Sequence, residues 1–132
     1  MKTVITFGTF DVFHVGHVNL LQRAAAFGDR LFVGVSTDAL NFSKKQRYPI
    51  YNQKDRMKII NSLRYVNLCF EEESLELKRH YIEYYKADVL VMGDDWEGKF
   101  DEFSDICEVK YLLRTPSVST TQLIEVISSS ED

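Results

Sequence analysis

Two histidines near the N-terminus could act together on a phosphate group. His14 and His17 follow the segment GTFD at residues 8–11 and enclose Val15 and Gly16. Residues three apart lie on one face of a helical turn, so both imidazoles could bind one anion. A helix start adds free N–H groups and a favourable dipole, and Gly16 lets a phosphate approach the backbone. Imidazoles can also donate hydrogen bonds to oxygens on which charge develops, so the pattern favours transfer at phosphorus without a protein nucleophile.

Two other interpretations of the histidine pair stay open at this stage. The pair could ligate zinc, but a third ligand would be needed, and no HExxH motif or nearby cysteine pair supplies one. The two cysteines, Cys69 and Cys107, are too few for a zinc cage or a disulfide scaffold. Alternatively, the pair could serve only the structure of a helix start.

The segment MGDDWEGKF at residues 92–100 follows an apolar run. Asp94 and Asp95 could accept hydrogen bonds from sugar hydroxyls or help to hold Mg²⁺. Trp96 could pack beside a nucleoside. The alternative is a capped turn with a tryptophan in the core.

Hydroxyl side chains follow Arg114 in the segment RTPSVSTT at residues 114–121. A guanidinium, hydroxyls and the free N–H groups of a helix start would together bind a phosphate. The alternative is a plain capping box, because Ser119 and Gln122 match the S-x-x-Q pattern. The two interpretations are compatible, because a free helix start can serve either.

Positive charge is concentrated in one segment. Residues 44–58 contain Lys44, Lys45, Arg47, Lys54, Arg56 and Lys58 with a single acid, Asp55, although the whole chain has a net charge of -4. A local positive segment on an acidic protein suits a small polyanion. A solvated, lysine-rich loop is an equally good interpretation of the charge alone.

Length and composition exclude several classes of protein. The 132 residues, 45% of them apolar, predict one folded domain covering residues 1–132 and exclude a disordered chain. No apolar run reaches the roughly 18 residues of a membrane helix, and the N-terminus has no signal-peptide pattern. The sequence therefore predicts a cytoplasmic protein without membrane contact. The mild acidity argues against nucleic-acid binding.

The hydrophobic pattern alternates between strand and helix. Strands are predicted at residues 4–7, 31–35, 66–70, 89–92 and 108–112, and helices at 17–27, after Asn52, at 75–85 and after Ser119. Gly28 is predicted as a helix C-cap, and residues 37–50 as a long polar loop. This order predicts the α/β class, with a Rossmann-like parallel sheet of about five strands and helices on both faces. Ligands of such sheets bind beyond the carboxyl ends of the strands, where each of the segments above would lie.

Taken together, these motifs resemble the HxGH nucleotidyltransferases, and within them the glycerol-3-phosphate cytidylyltransferase branch, from Val4 to about Ile127. The resemblance implies the HxGH nucleotidyltransferase fold and the conversion of CTP and glycerol 3-phosphate into CDP-glycerol and pyrophosphate, with Mg²⁺ as cofactor. It also implies a homodimer that feeds teichoic acid or capsular polymer synthesis.

The resemblance assigns roles to particular residues. The catalytic residues would be His14, His17, Lys44 and Arg114. The nucleotide would be bound by Gly8, Thr9, Phe10, Asp11, Gly16, Asp94, Arg114, Thr115, Ser119 and Thr120. Lys44 and Arg56 would contact substrate phosphate, and Asp94 would help to hold the nucleotide or the metal. No side chain is assigned as a dedicated metal ligand.

The chain departs from the branch in three places. Pro116-Ser117 replaces a common Glu-Gly and removes an N–H donor. The basic segment is one residue longer and contains Gln46 and Pro49, and Asn67 replaces a usual aspartate. The rivals are a different acceptor such as glycerol 2-phosphate, an adenylyltransferase, and a nucleotide-binding protein without catalysis. A protein without catalysis would need neither the two histidines nor Lys44 and Arg114.

Overall fold

The computed structural model describes residues 1–114 and 119–129. The strands are β1 (Thr3–Gly8), β2 (Arg30–Ser36), β3 (Leu68–Glu72), β4 (Val89–Gly93) and β5 (Glu108–Leu112). The α-helices are α1 (Val15–Ala25), α2 (Asp38–Lys45), α3 (Gln53–Asn61), α4 (Lys78–Tyr84) and α5 (Thr120–Ser129). Short 3₁₀ turns occupy Leu75–Leu77, Asp94–Trp96 and Asp101–Asp105.

The five strands form one parallel sheet in the order β3-β2-β1-β4-β5. The chain builds outwards from β1 in one direction and then returns to add β4 on the other side of β1. The strand order therefore reverses between β1 and β4, and α/β sheets bind their ligands at this position. The predicted fold class is confirmed.

Alternate residues of the central strands face two separate cores. Val4, Val89 and Val91 pack with Leu21 of α1 and Ile60 of α3. The neighbouring positions on β1 and β4 pack in a second core with Phe70 and with Ile82 of α4. Helices therefore cover both faces of the sheet, as the continuous apolar strands predict.

The prediction of a polar loop over residues 37–50 is wrong in its first half, because α2 occupies Asp38–Lys45. The Thr37 hydroxyl accepts a hydrogen bond from the Leu40 N–H, which caps the helix start, and Gln46 ends the helix in the left-handed region. Only Leu40 and Asn41 of this helix are buried. Since one of the two is polar, the hydrophobic pattern of a helix is absent.

Gly28 is not the C-cap of α1, because α1 ends at Ala25 and Ala26 occupies the cap position. A Cβ atom at Gly28 would lie 2.8 Å from the Lys2 carbonyl oxygen, so glycine is needed for close approach to the chain before β1. The predicted start of this helix at residue 17 is two residues late, because His14 caps it. The third strand begins two residues later than predicted, at Leu68.

Candidate active site

A pocket opens at the carboxyl ends of β1 and β4, where the strand order reverses. From the first half of the chain it is lined by Gly8, Thr9, Phe10, His14, Gly16 and His17. From the second half it is lined by Gly93, Asp95, Trp96, Arg114, Ser119 and Thr120. The structure thus brings together the three segments that were predicted separately from the sequence.

The two histidines form the cap of α1. The His14 Nδ1 accepts a hydrogen bond from the Gly16 N–H at 3.0 Å, and the His17 Nδ1 accepts one from the His14 N–H at 3.2 Å. This reciprocal pair is a capping box in which imidazoles replace the usual hydroxyl and carboxylate. Because both Nδ1 atoms accept, a neutral imidazole at either position carries its proton on Nε2. Structural and functional interpretations of the pair are therefore compatible.

Burial keeps His17 neutral. Desolvation, with a smaller contribution from His14, lowers the pKa of His17 to about 4, although Asp11 acts in the opposite direction. The rings of Phe10 and Phe13 lie 5.5 and 5.3 Å from the His17 ring, centroid to centroid, and account for this burial. Burial also lowers the pKa of His14. At neutral pH both imidazoles are uncharged donors of a hydrogen bond through Nε2.

The loop before the histidines has an unusual backbone. Phe10 and Val12 have φ angles of 55° and 46°, in the left-handed region that a β-branched valine rarely adopts. Between them, the Asp11 carboxylate accepts hydrogen bonds from the N–H groups of Ile50 and Tyr51 at 2.7 and 2.8 Å. Asp11 therefore holds the end of the basic segment against this loop, in addition to the nucleotide contact predicted for it.

The assignment of Arg56 to a substrate contact is wrong. Its side chain is 0% exposed, and its guanidinium donates to the carbonyl oxygens of Thr9, Ser36 and Tyr51. It also forms an ion pair with Asp38 at 2.7 Å. Arg56 therefore joins the ends of β1 and β2 to α2 and α3. A buried and multiply bonded arginine cannot be told from a surface cation by sequence alone.

A second pocket adjoins the first and carries the positive charge. Thr9, Phe10, His17 and Thr120 line both pockets, and the second adds Lys45 and Arg47. Lys44 lines neither of these two pockets. Desolvation lowers the pKa of Lys44, and the charge of Glu72 at the end of β3 acts in the opposite direction. Of the basic segment, Lys45 and Arg47 therefore line a pocket, whereas Lys44 does not.

Lys78 is a functional candidate that the sequence did not indicate. Lys78 and Glu72 are both buried and form an ion pair at the carboxyl edge of the sheet. The Lys78 Nζ lies 3.9 Å from the centre of the Phe7 ring, and Lys44 contributes to lowering its pKa after the larger effect of burial. In the sequence Lys78 stands beside Arg79 among acids, which is typical of a solvated helix, so no local signal distinguishes it.

The two neighbouring aspartates, Asp94 and Asp95, have different surroundings. Asp95 lines the first pocket, whereas the Asp94 Oδ1 is buried without a hydrogen-bond partner and lies 3.9 Å from the Arg114 Nε. Trp96 also lines the pocket and is 38% exposed, with its ring against Phe100. The interpretation of Trp96 as a core residue is therefore wrong.

The start of α5 closes the pocket. The Ser119 hydroxyl accepts from the Gln122 N–H at 3.1 Å, as expected for an N-cap, and the Thr120 hydroxyl donates to the Asp11 carbonyl oxygen at 2.7 Å. Thr115, predicted to bind the nucleotide, lies outside the described residues, as do Pro116 and Ser117. Arg114 lines the pocket with its side chain 65% exposed, so its guanidinium is open to a ligand.

Two findings concern metals and membranes. Among residues 1–114 and 119–129, no group of three or more histidine, cysteine, aspartate or glutamate side chains is arranged to hold a metal ion. Within the same residues, no helix has the length and apolar character required to span a membrane.

Comparison with known proteins identifies close relatives. The model of the cytidylyltransferase-like family matches residues 5–130. The chain is 48% identical to glycerol-3-phosphate cytidylyltransferase of Bacillus subtilis (strain 168), over 97% of this chain and 98% of that protein. It is 46% identical to the Staphylococcus aureus protein of the same name, over 93% of this chain and 92% of that one.

A solved structure supports the fold. The lipopolysaccharide core biosynthesis protein from Thermoplasma volcanium superimposes with a TM-score of 0.73 at 24% identity. The match covers 87% of this chain and 97% of that one.

Proposed function

This chain belongs to the cytidylyltransferase-like family, and on that premise we propose that it transfers CMP from CTP to glycerol 3-phosphate, producing CDP-glycerol and pyrophosphate. The structural observation that carries the proposal is the pair of neutral histidines whose Nδ1 atoms are occupied by backbone N–H groups at the start of α1. This arrangement offers two fixed hydrogen-bond donors to the phosphates of the nucleotide, and the transfer needs no protein nucleophile.

The reaction requires one displacement at the α-phosphorus of CTP. A phosphate oxygen of glycerol 3-phosphate forms the new bond, while the bond from the α-phosphorus to the oxygen bridging to the β-phosphate breaks. The electron pair leaves with pyrophosphate. His14 and His17 donate their Nε2 hydrogen bonds to oxygens that become more negative during this step, and they need no proton transfer to do so. Their backbone hydrogen bonds hold both rings before the substrate arrives.

The nucleotide occupies the first pocket. The Trp96 ring can pack beside the nucleoside, and the exposed Arg114 guanidinium can bind two phosphate oxygens at once. The start of α5, with Ser119 and Thr120, adds N–H groups at the same place. Lys45 and Arg47 extend the positive charge towards the β- and γ-phosphates through the second pocket. The nucleotide contact of Thr115 stays a prediction from the sequence.

The acceptor phosphate is assigned to Lys44. Lys44 is exposed, directly precedes Lys45, and lines neither of the two pockets assigned to the nucleotide, so it can serve the acceptor. Separate binding places for the nucleotide and the acceptor allow both phosphates to approach the histidines without sharing one cation. Arg56 contributes to this arrangement only by holding the strand ends.

The chemistry of the donors fits Mg²⁺ bound mainly to the substrate. Magnesium in such sites takes one or two carboxylates and otherwise substrate phosphates and water. The Asp94 Oδ1, buried without a hydrogen-bond partner beside the pocket, is a suitable oxygen ligand, and Asp95 is its neighbour. When bound, Mg²⁺ would neutralise part of the triphosphate charge.

The wider setting of the enzyme follows from the family and belongs to the same proposal. We expect a cytoplasmic homodimer whose CDP-glycerol is used for teichoic acid or capsular polymers. The second candidate for the acceptor of CMP is glycerol 2-phosphate.

One experiment tests the whole proposal. The protein is incubated with Mg²⁺, each of the four nucleoside triphosphates and a panel containing glycerol 3-phosphate, glycerol 2-phosphate and water alone. Pyrophosphate is measured together with the mass of the nucleotide product. We expect CDP-glycerol only with CTP and glycerol 3-phosphate. A higher kcat/KM with another acceptor overturns the acceptor, product only with ATP overturns the nucleotide, and no product in any mixture overturns the function.

A further inference from the structure

Three polar residues beside the two pockets form a closed ring of hydrogen bonds. Its members are Asn41 of α2, Ser36 at the end of β2 and Thr9 after β1, and Asn41 is only 2% exposed. The three polar contacts are 2.9 Å from Asn41 Nδ2 to Ser36 Oγ, 3.1 Å between the Ser36 and Thr9 hydroxyls, and 2.9 Å from Thr9 Oγ1 to Asn41 Oδ1.

The direction of every bond in this ring is fixed by chemistry. The Asn41 Nδ2 also donates to the carbonyl oxygens of Ser36 and Thr37, at 3.3 and 2.9 Å. Because carbonyl oxygens only accept, the Asn41 amide cannot be reversed, and its Oδ1 must face Thr9. The Thr9 hydroxyl therefore donates to Asn41, and the Ser36 hydroxyl donates to Thr9. The ring therefore fixes the direction in which the Thr9 hydroxyl donates.

We propose that Asn41 is a positioning residue for the nucleotide, which it acts on through Thr9. Thr9 lines both pockets, the first together with the two histidines and the second together with Lys45. Asn41 borders the second pocket, but its amide groups are occupied within the ring, so it orders Thr9 and does not need to touch the ligand. The inference rests on the proposed nucleotide site and deepens it.

The ring also links α2 to the loop after β1. Arg56 donates to the Thr9 carbonyl oxygen, while Asn41 fixes the Thr9 side chain, so this residue is held from α3 and from α2. Lys45 lies four residues after Asn41 on the same helix. A displaced Asn41 would therefore loosen Thr9 relative to the cations that receive the triphosphate.

The test measures the Kd for CTP by calorimetry, with no acceptor present, for Asn41→Ala, Thr9→Val and the double variant. We expect each single change to weaken binding about tenfold, which corresponds to roughly 1.4 kcal/mol. The Kd of the double variant should be within about twofold of the Kd of the weaker-binding single variant, because the effects of substitutions in one network do not add. Additive losses, or wild-type affinity of Asn41→Ala, overturn the proposal.

A matched control separates positioning from general stability. Thr6 lies on β1, three residues before Thr9, is buried, and donates its hydroxyl to the Val91 carbonyl oxygen; it lines neither pocket. Thr6→Val should lower the Tm and leave the Kd for CTP unchanged, and an equal loss of affinity contradicts the positioning role. If Asn41→Ala does not fold, Ser36→Ala opens the same ring and should show the same lack of additivity with Thr9→Val.

The outcome is distinguishable from failure of the proposed function. If the wild-type protein binds CTP but forms no CDP-glycerol, the acceptor assignment is overturned. The Kd values for CTP still decide whether Asn41 positions Thr9. A wild-type protein that does not bind CTP overturns both.

Discussion

The imidazole rings of His14 and His17 lie against each other, with centroids 3.8 Å apart and 25° between their planes. Two positive charges at this separation would repel strongly, so the contact favours uncharged rings. Their Nδ1 atoms point into the helix cap and their Nε2 atoms are left for a ligand. The pair can therefore stabilise charge on phosphate oxygens without itself changing charge.

Substitutions that preserve the helix cap should separate its structural role from catalysis. Asparagine is a favourable N-cap and glutamine can complete a capping box, so His14→Asn and His17→Gln keep the cap and remove the imidazole. We expect each to lower kcat by about 10²-fold with little change in Tm. His14→Ala should lose activity and also about 1 kcal/mol of stability. Wild-type turnover in the folded Asn and Gln variants would show that the pair is only structural.

The low pKa of His17 predicts a dependence of stability on pH. The folded value is about 4, while an unfolded histidine titrates near 6.5. Between these values the unfolded state binds more protons, so the contribution of His17 is complete above pH 6.5 and is lost as the pH falls towards 4. Urea unfolding from pH 7 to 4.5 should show a shallower decline for His17→Gln. Equal pH profiles, or imidazole NMR signals of a charged His17 at pH 6, contradict the assignment.

Neighbouring lysines should affect different substrates. Lys45→Ala should raise the KM for CTP about tenfold, which corresponds to a loss of roughly 1.4 kcal/mol of binding free energy. Lys44→Ala should instead raise the KM for glycerol 3-phosphate by a similar factor. Both effects should decrease at high salt because of screening. Lys58→Ala, on the exposed side of α3, is the control and should change neither. If Lys44→Ala and Lys45→Ala behave like Lys58→Ala, the segment is a solvated surface.

Arg114 should not be replaceable by lysine. A guanidinium binds two phosphate oxygens in one plane, and an ammonium is a point charge. We expect Arg114→Lys to lose most of the activity that Arg114→Ala loses, measured as kcat/KM for CTP. A lysine variant within about threefold of the wild type, the range of a change below 1 kcal/mol, would mean that charge alone matters.

Arg56 should be required for folding and not for substrate contact. Arg56→Ala would leave three backbone carbonyl oxygens and the half-buried Asp38 carboxylate without their partner, so it should lower the free energy of unfolding by about 3–5 kcal/mol. Arg47→Ala, an exposed cation of the same segment, should change it by less than about 0.5 kcal/mol. Urea titration of both variants measures the difference. If the Arg56→Ala and Arg47→Ala variants have equal free energies of unfolding, the structural role of Arg56 is contradicted.

The elements that sequence could locate are those with a local signal. The strand Glu108–Leu112 and the cap at Asn52 are predicted correctly, because an apolar run and a capping side chain are both visible in short windows. The sequence does not indicate helix α2, because the buried face of this helix contains the polar Asn41. The ring that explains this burial is formed with Ser36 and Thr9, which no local pattern connects.

The site residues divide in the same way. His14, His17 and Arg114 belong to motifs with recognisable spacing, and the structure brings them to one pocket. The buried states of Arg56 and Lys78 depend on partners from other elements, Asp38 and Glu72. Charge is visible in a sequence, but its neutralisation by a distant partner is not.

The hydrogen bond from Thr120 to the Asp11 carbonyl oxygen spans 109 positions of the chain. During synthesis on the ribosome, β1 and the histidine loop emerge before α5, and they lack this contact until α5 has left the exit tunnel. A nascent chain that ends before Thr120 therefore has the histidines without the helix that closes their pocket. Competence to bind nucleotide should be acquired only once α5 has left the tunnel, and ribosome-stalled chains of increasing length would reveal that step.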